Sequence, residues 1–167
     1  MKIYLAADHA GFELKEKLVP YLRDELGHDV EDCGAFELDM KDDYPPIIAR
    51  AARKLSSDAA AGIESRAIFV GASGQGEAMV ANRFPRVRCA LYYGASKEMQ
   101  RDASGLEYDM LASTRMHNND NALSLAGRFM DEGEAKSAIK RWLETPFSGE
   151  VRHMRRIGQI ESVRDEA

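Results

Sequence analysis

Five short apolar runs with strand-forming character recur along the chain, and the stretches between them carry helical spacing. This alternation constrains the fold more than any other feature. The runs are KIYLAA (2–7), HDVEDC (28–33), RAIFVG (66–71), VRCALYY (87–93) and NALSLAG (121–127). After the first, Leu14, Leu18, Leu22 and Leu26 fall at i+4 steps, with Lys15, Lys17, Arg23 and Asp24 on other faces and Gly27 closing the stretch. Such spacing predicts an amphipathic helix over 12–26. Helices are also predicted over 45–57, 75–83 and 131–143, the last with Ala135, Ala138, Ile139 and Trp142 on one face and Asp131 placed to cap it. A last helix is predicted over 150–163, where Val151, Met154, Ile157 and Ile160 alternate between packing and exposure. Strands separated by helices of this length require right-handed crossovers and a largely parallel sheet. The predicted fold class is therefore α/β: a three-layer, doubly wound, Rossmann-like sheet of five parallel strands with a C-terminal helix.

No internal repeat, low-complexity tract or Pro/Gly-rich linker divides the 167 residues, so one domain over 1–167 is expected, ending in a helix and tail over 150–167. Residues 94–116 are less regular. They are polar, are interrupted at Ala103, Ser104 and Gly105, and are expected to form an insertion of two helical pieces with a break. With 23 Lys and Arg against 28 Asp and Glu, the formal charge is -5. That balance speaks against a nucleic-acid binder or a polybasic membrane-surface protein, and an anionic ligand must be caught by a local cluster. No apolar run approaches the roughly 20 residues that span a bilayer, and the MKIYLAADHAG start reads as a strand, so a cytoplasmic location is expected. Cys33 and Cys89 lie far apart, without a CxxC or nearby histidines. They fit reduced thiols better than a disulfide framework or a zinc site.

In a doubly wound sheet, ligands belong at the strand C-termini. Asp8 and His9 follow the first strand there, and Asp8 is either a helix cap or part of a ligand site. After the third strand comes Gly71-Ala72-Ser73-Gly74-Gln75-Gly76-Glu77. Glycines permit a tight turn and a helix N-terminus aims free N–H groups outward, which makes an anion cradle of Ala72 to Gly76. The loop matches neither GxGxxG, nor the phosphate-loop pattern, nor GxSxG. Glu77 on the first helical turn is either a complement to the helix dipole or a base beside the cradle. Downstream stand His117, Asn118 and, after the fifth strand, Gly127-Arg128. Arg152 and Arg156 share one face of the last helix at i, i+4, and are either a solvated basic face or a fork for a phosphate monoester.

Taken together, DHAG (8–11), CGA (33–35), DDYP (42–45), GASGQGEAMVAN (71–82), RCAL (88–91), HNN (117–119), GR (127–128) and RHMRR (152–156) resemble the type B ribose-5-phosphate isomerases, from about residue 2 to about residue 161. This family also includes allose-6-phosphate and galactose-6-phosphate isomerases. It splits by catalytic base. In the cysteine branch the base occupies the position that is Gly71 here, whereas in the glutamate branch it falls on Glu77, which this chain resembles. The resemblance implies a metal-independent and cofactor-free interconversion of ribose 5-phosphate and ribulose 5-phosphate through a cis-enediolate, a step of the pentose phosphate pathway. It implies Glu77 as base, with Ser73 and the Ala72, Gly74, Gln75 and Gly76 backbone holding oxygen charge. His117, assisted by Asp8, would open the furanose ring. Asn118 would bind sugar oxygens, and His9, Arg128, Arg152 and Arg156 the phosphate. It further implies a homodimer, sometimes paired into a tetramer, in which the HNN histidine and part of the phosphate clamp come from the neighbouring chain. The 94–116 segment is longer than the matching helix of typical members. Isomerisation of a six-carbon sugar phosphate and non-catalytic phosphosugar binding are the alternatives.

Overall fold

The computed structural model describes residues 1–102 and 105–163. Its strands in chain order are β1 (Lys2–Ala7), β2 (Asp29–Asp32), β3 (Ser65–Gly71), β4 (Cys89–Tyr92), β5 (Gln100–Arg101), β6 (Glu107–Tyr108) and β7 (Ala122–Ala126). The helices are α1 (Phe12–Pro20, continued by a wider π turn over Tyr21–Glu25), α2 (Tyr44–Ala60), α3 (Gln75–Ala81), α4 (Met110–Asn118), α5 (Glu132–Glu144) and α6 (Val151–Ser162). Five strands form one parallel sheet in the order β2-β1-β3-β7-β4, as the alternation of apolar runs predicts. The last strand, β7, is inserted between β3 and β4. From β1 the chain passes to β2 on one side and then to β3 on the other, so the crevice between β1 and β3 is the switch point at which such sheets bind ligands.

Strand alternation divides the core into two layers. Ile3, Leu5, Ile68, Val70, Leu123 and Leu125 face Leu18, Leu22, Leu111, Ala135, Ile139 and Trp142 of α1, α4 and α5. Tyr4, Ala6, Ala67 and Phe69 face Ile47, Ile48, Ala51, Leu55 and Ala81 of α2 and α3. The predicted apolar face of α5 is buried throughout, and the Asp131 side chain accepts the Glu134 N–H at 2.8 Å as a cap. The N-terminal layer differs from its prediction at one turn: Pro20 has no N–H to donate, and the chain winds on with a Leu26 N–H to Tyr21 O bond of 3.1 Å.

Two expectations are corrected. Of residues 94–116, only the second part is helical; the first forms the antiparallel pair β5–β6. The expected break at Ala103 and Ser104 lies outside the described residues, as does the tail beyond 163. In α6, the apolar residues Val151, Met154 and Ile160 are exposed, and His153 is the buried side chain. No helix among the described residues is long and apolar enough to cross a membrane. Cys33 and Cys89 are free, and burial pushes the Cys33 thiol up to about 11.

Candidate active site

At the end of β1, Asp8 is buried and its Oδ1 accepts the N–H groups of Ala10 (3.0 Å) and Gly11 (3.2 Å). It therefore shapes the entry to α1, while its Oδ2 lies 3.9 Å from His9 Nδ1. His9 is held from a distant loop: Asp42 accepts its backbone N–H at 3.0 Å and pairs with Nδ1 at 2.6 Å. With Nδ1 on a carboxylate, Nε2 is the ring nitrogen left for a ligand. Asp8, His9 and Asp42 bring three ligand atoms within 4.8 Å of one another, a spacing a metal ion could use. The carboxylates in that group already accept the hydrogen bonds just described.

The loop after β3 turns through Gly74 at φ +72°, a left-handed conformation suited to glycine, and opens directly into α3. Ser124 Oγ, on the neighbouring strand, donates to Gly74 O at 2.7 Å and fixes the loop from below. The N–H groups that open α3 have no acceptor within the helix, and the first of them, Gln75, donates to Ser73 Oγ at 3.4 Å. Glu77 then folds back over the loop. A Cβ on Gly71 would stand 2.1 Å from the Glu77 carboxyl carbon, so the carboxylate occupies the space where residue 71 would carry a side chain. Glu77 is only 4% exposed. Burial pushes its pKa above the ordinary carboxylate value, the nearby Asp8 charge adds to this, and its own backbone N–H opposes it. A carboxylate serving only the helix dipole gains nothing from such burial.

Arg128 follows β7 and its backbone N–H bonds to Ala72 O at 3.1 Å. Its side chain and His9 line a cavity of about 420 Å³ together with Leu38 and Met40. Asp8, His9, the Ala72–Gly76 loop, Glu77 and Arg128 thus gather at the strand C-termini.

The other candidates do not join them within one chain. His117 and Asn118 end α4, which runs back toward the start of β7; Arg88, just ahead of β4, donates to Asn118 O at 3.0 Å. Asn118 therefore lies at the N-terminal edge of the sheet, and a five-residue strand rises roughly 16 Å, which separates it from the Glu77 end. Arg152 and Arg156 sit exposed on α6, with Arg152 Nε 2.7 Å from Glu150. Burial, then His153 and the two arginines, holds His117 below the usual imidazole value, with Glu150 opposing.

Sequence reasoning missed two partners. Asp42 fixes His9 across 33 residues, and the Tyr44 ring lies over Gly76, where a Cβ would come within 2.6 Å of its Cζ. Both belong to DDYP, and the Asp-Tyr-Pro-Pro start of α2 was the available signal.

The family profile described as Ribose/Galactose Isomerase matches residues 3–160. The chain belongs to the Ribose/Galactose Isomerase family. It is 39% identical over 157 residues to the ribose-5-phosphate isomerase B of Mycolicibacterium paratuberculosis, covering 94% of this chain and 87% of that one. To the protein of the same name from Mycobacterium tuberculosis it is 36% identical, covering 94% and 86%. Among solved members, the Mycoplasma genitalium ribose-5-phosphate isomerase B with bound ribulose-5-phosphate superposes with a TM-score of 0.83 at 28% identity, covering 99% and 97% of the two chains. The Thermotoga maritima ribose 5-phosphate isomerase gives 0.76 at 34% identity, covering 97% and 98%.

Proposed function

We propose that this member of the family interconverts ribose 5-phosphate and ribulose 5-phosphate through a cis-enediolate, with Glu77 as the base. The buried carboxylate folded onto Gly71, on the first turn of the helix that opens from the glycine-rich loop, carries the proposal. Burial raises the proton affinity of Glu77, which suits it to take a proton from carbon and return it. In the forward direction it removes the C2 proton and delivers it to C1, while Ser73 and the backbone N–H groups from Ala72 to Gly76 hold the charge that develops on the oxygens. These roles call for no metal or cofactor. His117, with Asp8 assisting, moves protons between the ring oxygen and the C1 hydroxyl to open the furanose, and Asn118 holds sugar oxygens. His9, steadied by Asp42, and Arg128, Arg152 and Arg156 take the phosphate, which explains how a chain of charge -5 binds an anion.

The two groups of residues meet only if a second copy supplies His117, Asn118, Arg152 and Arg156. The exposed apolar residues of α6, Val151, Met154 and Ile160, support such a homodimer, because large apolar side chains left open on one protomer are suited to cover by a second copy. Pairing of dimers into a tetramer is compatible with this. A phosphorylated sugar does not cross membranes unaided, which supports a cytoplasmic site of action. Turnover of ribose 5-phosphate, allose 6-phosphate and galactose 6-phosphate, compared in a coupled isomerase assay, tests the reading. Preference for the five-carbon sugar is expected. Turnover of none of the three leaves a phosphosugar-binding protein, and preference for a six-carbon sugar overturns the substrate assignment.

A further inference from the structure

His117 is enclosed on three sides, and one of these sides is the β5–β6 hairpin. Ser113 Oγ, one helical turn earlier, lies 3.1 Å from His117 Nδ1. The His153 ring stands 4.4 Å away, centroid to centroid and tilted 39°, and is itself fixed by Ser148 Oγ at 2.8 Å from its Nδ1. The third side is Tyr108 of β6, whose ring meets the imidazole edge-to-face at 5.3 Å and 80°. Tyr108 is held in place by its neighbours. Arg101 and Glu107 pair across the hairpin at 2.5 Å. Asp109 caps α4 through the Ala112 N–H at 2.8 Å and pairs with Arg141 of α5 at 2.6 Å. Beside this contact lies a cavity of about 580 Å³, bordered by Gln100, Tyr108, Met110, Ser113 and His117.

We propose that Tyr108 is a positioning residue for ring opening: the hairpin presses its ring against His117, fixing the imidazole with Nδ1 on Ser113 and leaving Nε2 to exchange protons with the sugar. Among the described residues, Nε2 has no hydrogen-bond partner. An edge-to-face aromatic contact restricts ring rotation, and a base held in one orientation acts at lower entropic cost. The charged and titratable groups around the imidazole are His153, Arg152, Arg156 and Glu150 at α6, and Tyr108, Asp109, Lys97 and Glu98 around the cavity. The inference rests on the proposed role of His117, and the experiment separates the two.

Ribulose 5-phosphate cannot close a furanose, because its C5 oxygen carries the phosphate. Solvent deuterium exchange into its C1 position, followed by NMR, therefore reports the Glu77 step without ring opening. Turnover of ribose 5-phosphate reports both. Tyr108→Ala is expected to lower turnover of ribose 5-phosphate by about three- to tenfold with deuterium exchange unchanged, and Tyr108→Phe, which keeps the ring, to restore turnover. His117→Ala should show the same selective loss, larger. Unchanged turnover in Tyr108→Ala, or an equal loss of both readouts, overturns the positioning role while leaving that of His117 intact. Failure of His117→Ala to lose turnover selectively overturns the ring-opening assignment, and the proposal for Tyr108 with it.

Discussion

Gly71→Ala tests the site through one methyl group. The backbone at 71 is an ordinary strand residue, without positive φ, so alanine strains nothing locally. Its methyl, however, would stand 2.1 Å from the Glu77 carboxyl carbon and 2.2 and 2.4 Å from the two oxygens. Carbon atoms rest about 3.5–4.0 Å apart, so the carboxylate must retreat by roughly 1.5 Å. A displacement of about 1 Å of a reacting group costs on the order of a hundredfold in rate, equivalent to about 2.7 kcal/mol of transition-state stabilisation. The phosphate contacts proposed for His9 and Arg128 are untouched, so the loss belongs in kcat rather than KM. Steady-state conversion of ribose 5-phosphate, with sugar-phosphate binding measured by calorimetry, gives both quantities. Turnover within about threefold of the parent protein would show that the position of Glu77 over Gly71 has no catalytic meaning.

Asp42→Asn removes the charged partner of His9 at 2.6 Å and is expected to raise KM for ribose 5-phosphate by about tenfold with a smaller effect on kcat; an unchanged KM removes His9 from the phosphate site. Mixing two inactive variants, Glu77→Gln and His117→Ala, after dissociation and reassembly should restore about a quarter of parental activity, because half the dimers then carry one intact site of two. No recovery from mixed and verified heterodimers contradicts the shared site. Asp120 supplies a stability test. Burial pushes it up to about 6 from 3.8, although Trp142 Nε1 donates to it at 2.8 Å and Arg115 stands 3.9 Å away. The folded state therefore binds this proton more tightly than the unfolded chain, so the stability it contributes is complete below about pH 4 and lost as pH rises to about 6. Urea unfolding at several pH values should show Asp120→Asn gaining on the parent across that window, by on the order of 3 kcal/mol; parallel curves would refute the shift.

The parallel sheet was legible because its central strands are buried on both faces and read as continuous apolar runs, such as RAIFVG, whose residues are all buried, while the edge strands β2 and β4 are only partly covered. The cradle and Glu77 were legible because loop, turn and carboxylate are contiguous in sequence. The hairpin was not, since two-residue strands are too short to show a period of two. Long-range partners also left no local signal. Asp42 with His9 and Asp120 with Trp142 are brought together by the tertiary fold, and nothing in their own segments announces the pairing. For α6 the spacing gave the helix and its apolar residues, but not that they would lie open to solvent on one protomer.

Glu77→Gln is nearly isosteric and removes only the basic oxygen from a buried position, so it bears directly on the proposed chemistry. With the cradle and arginines unchanged, the variant is expected to bind ribulose 5-phosphate within a few-fold of the parent while turnover falls by about 10² to 10⁴. Near-normal turnover with intact binding would place the base elsewhere and contradict the account.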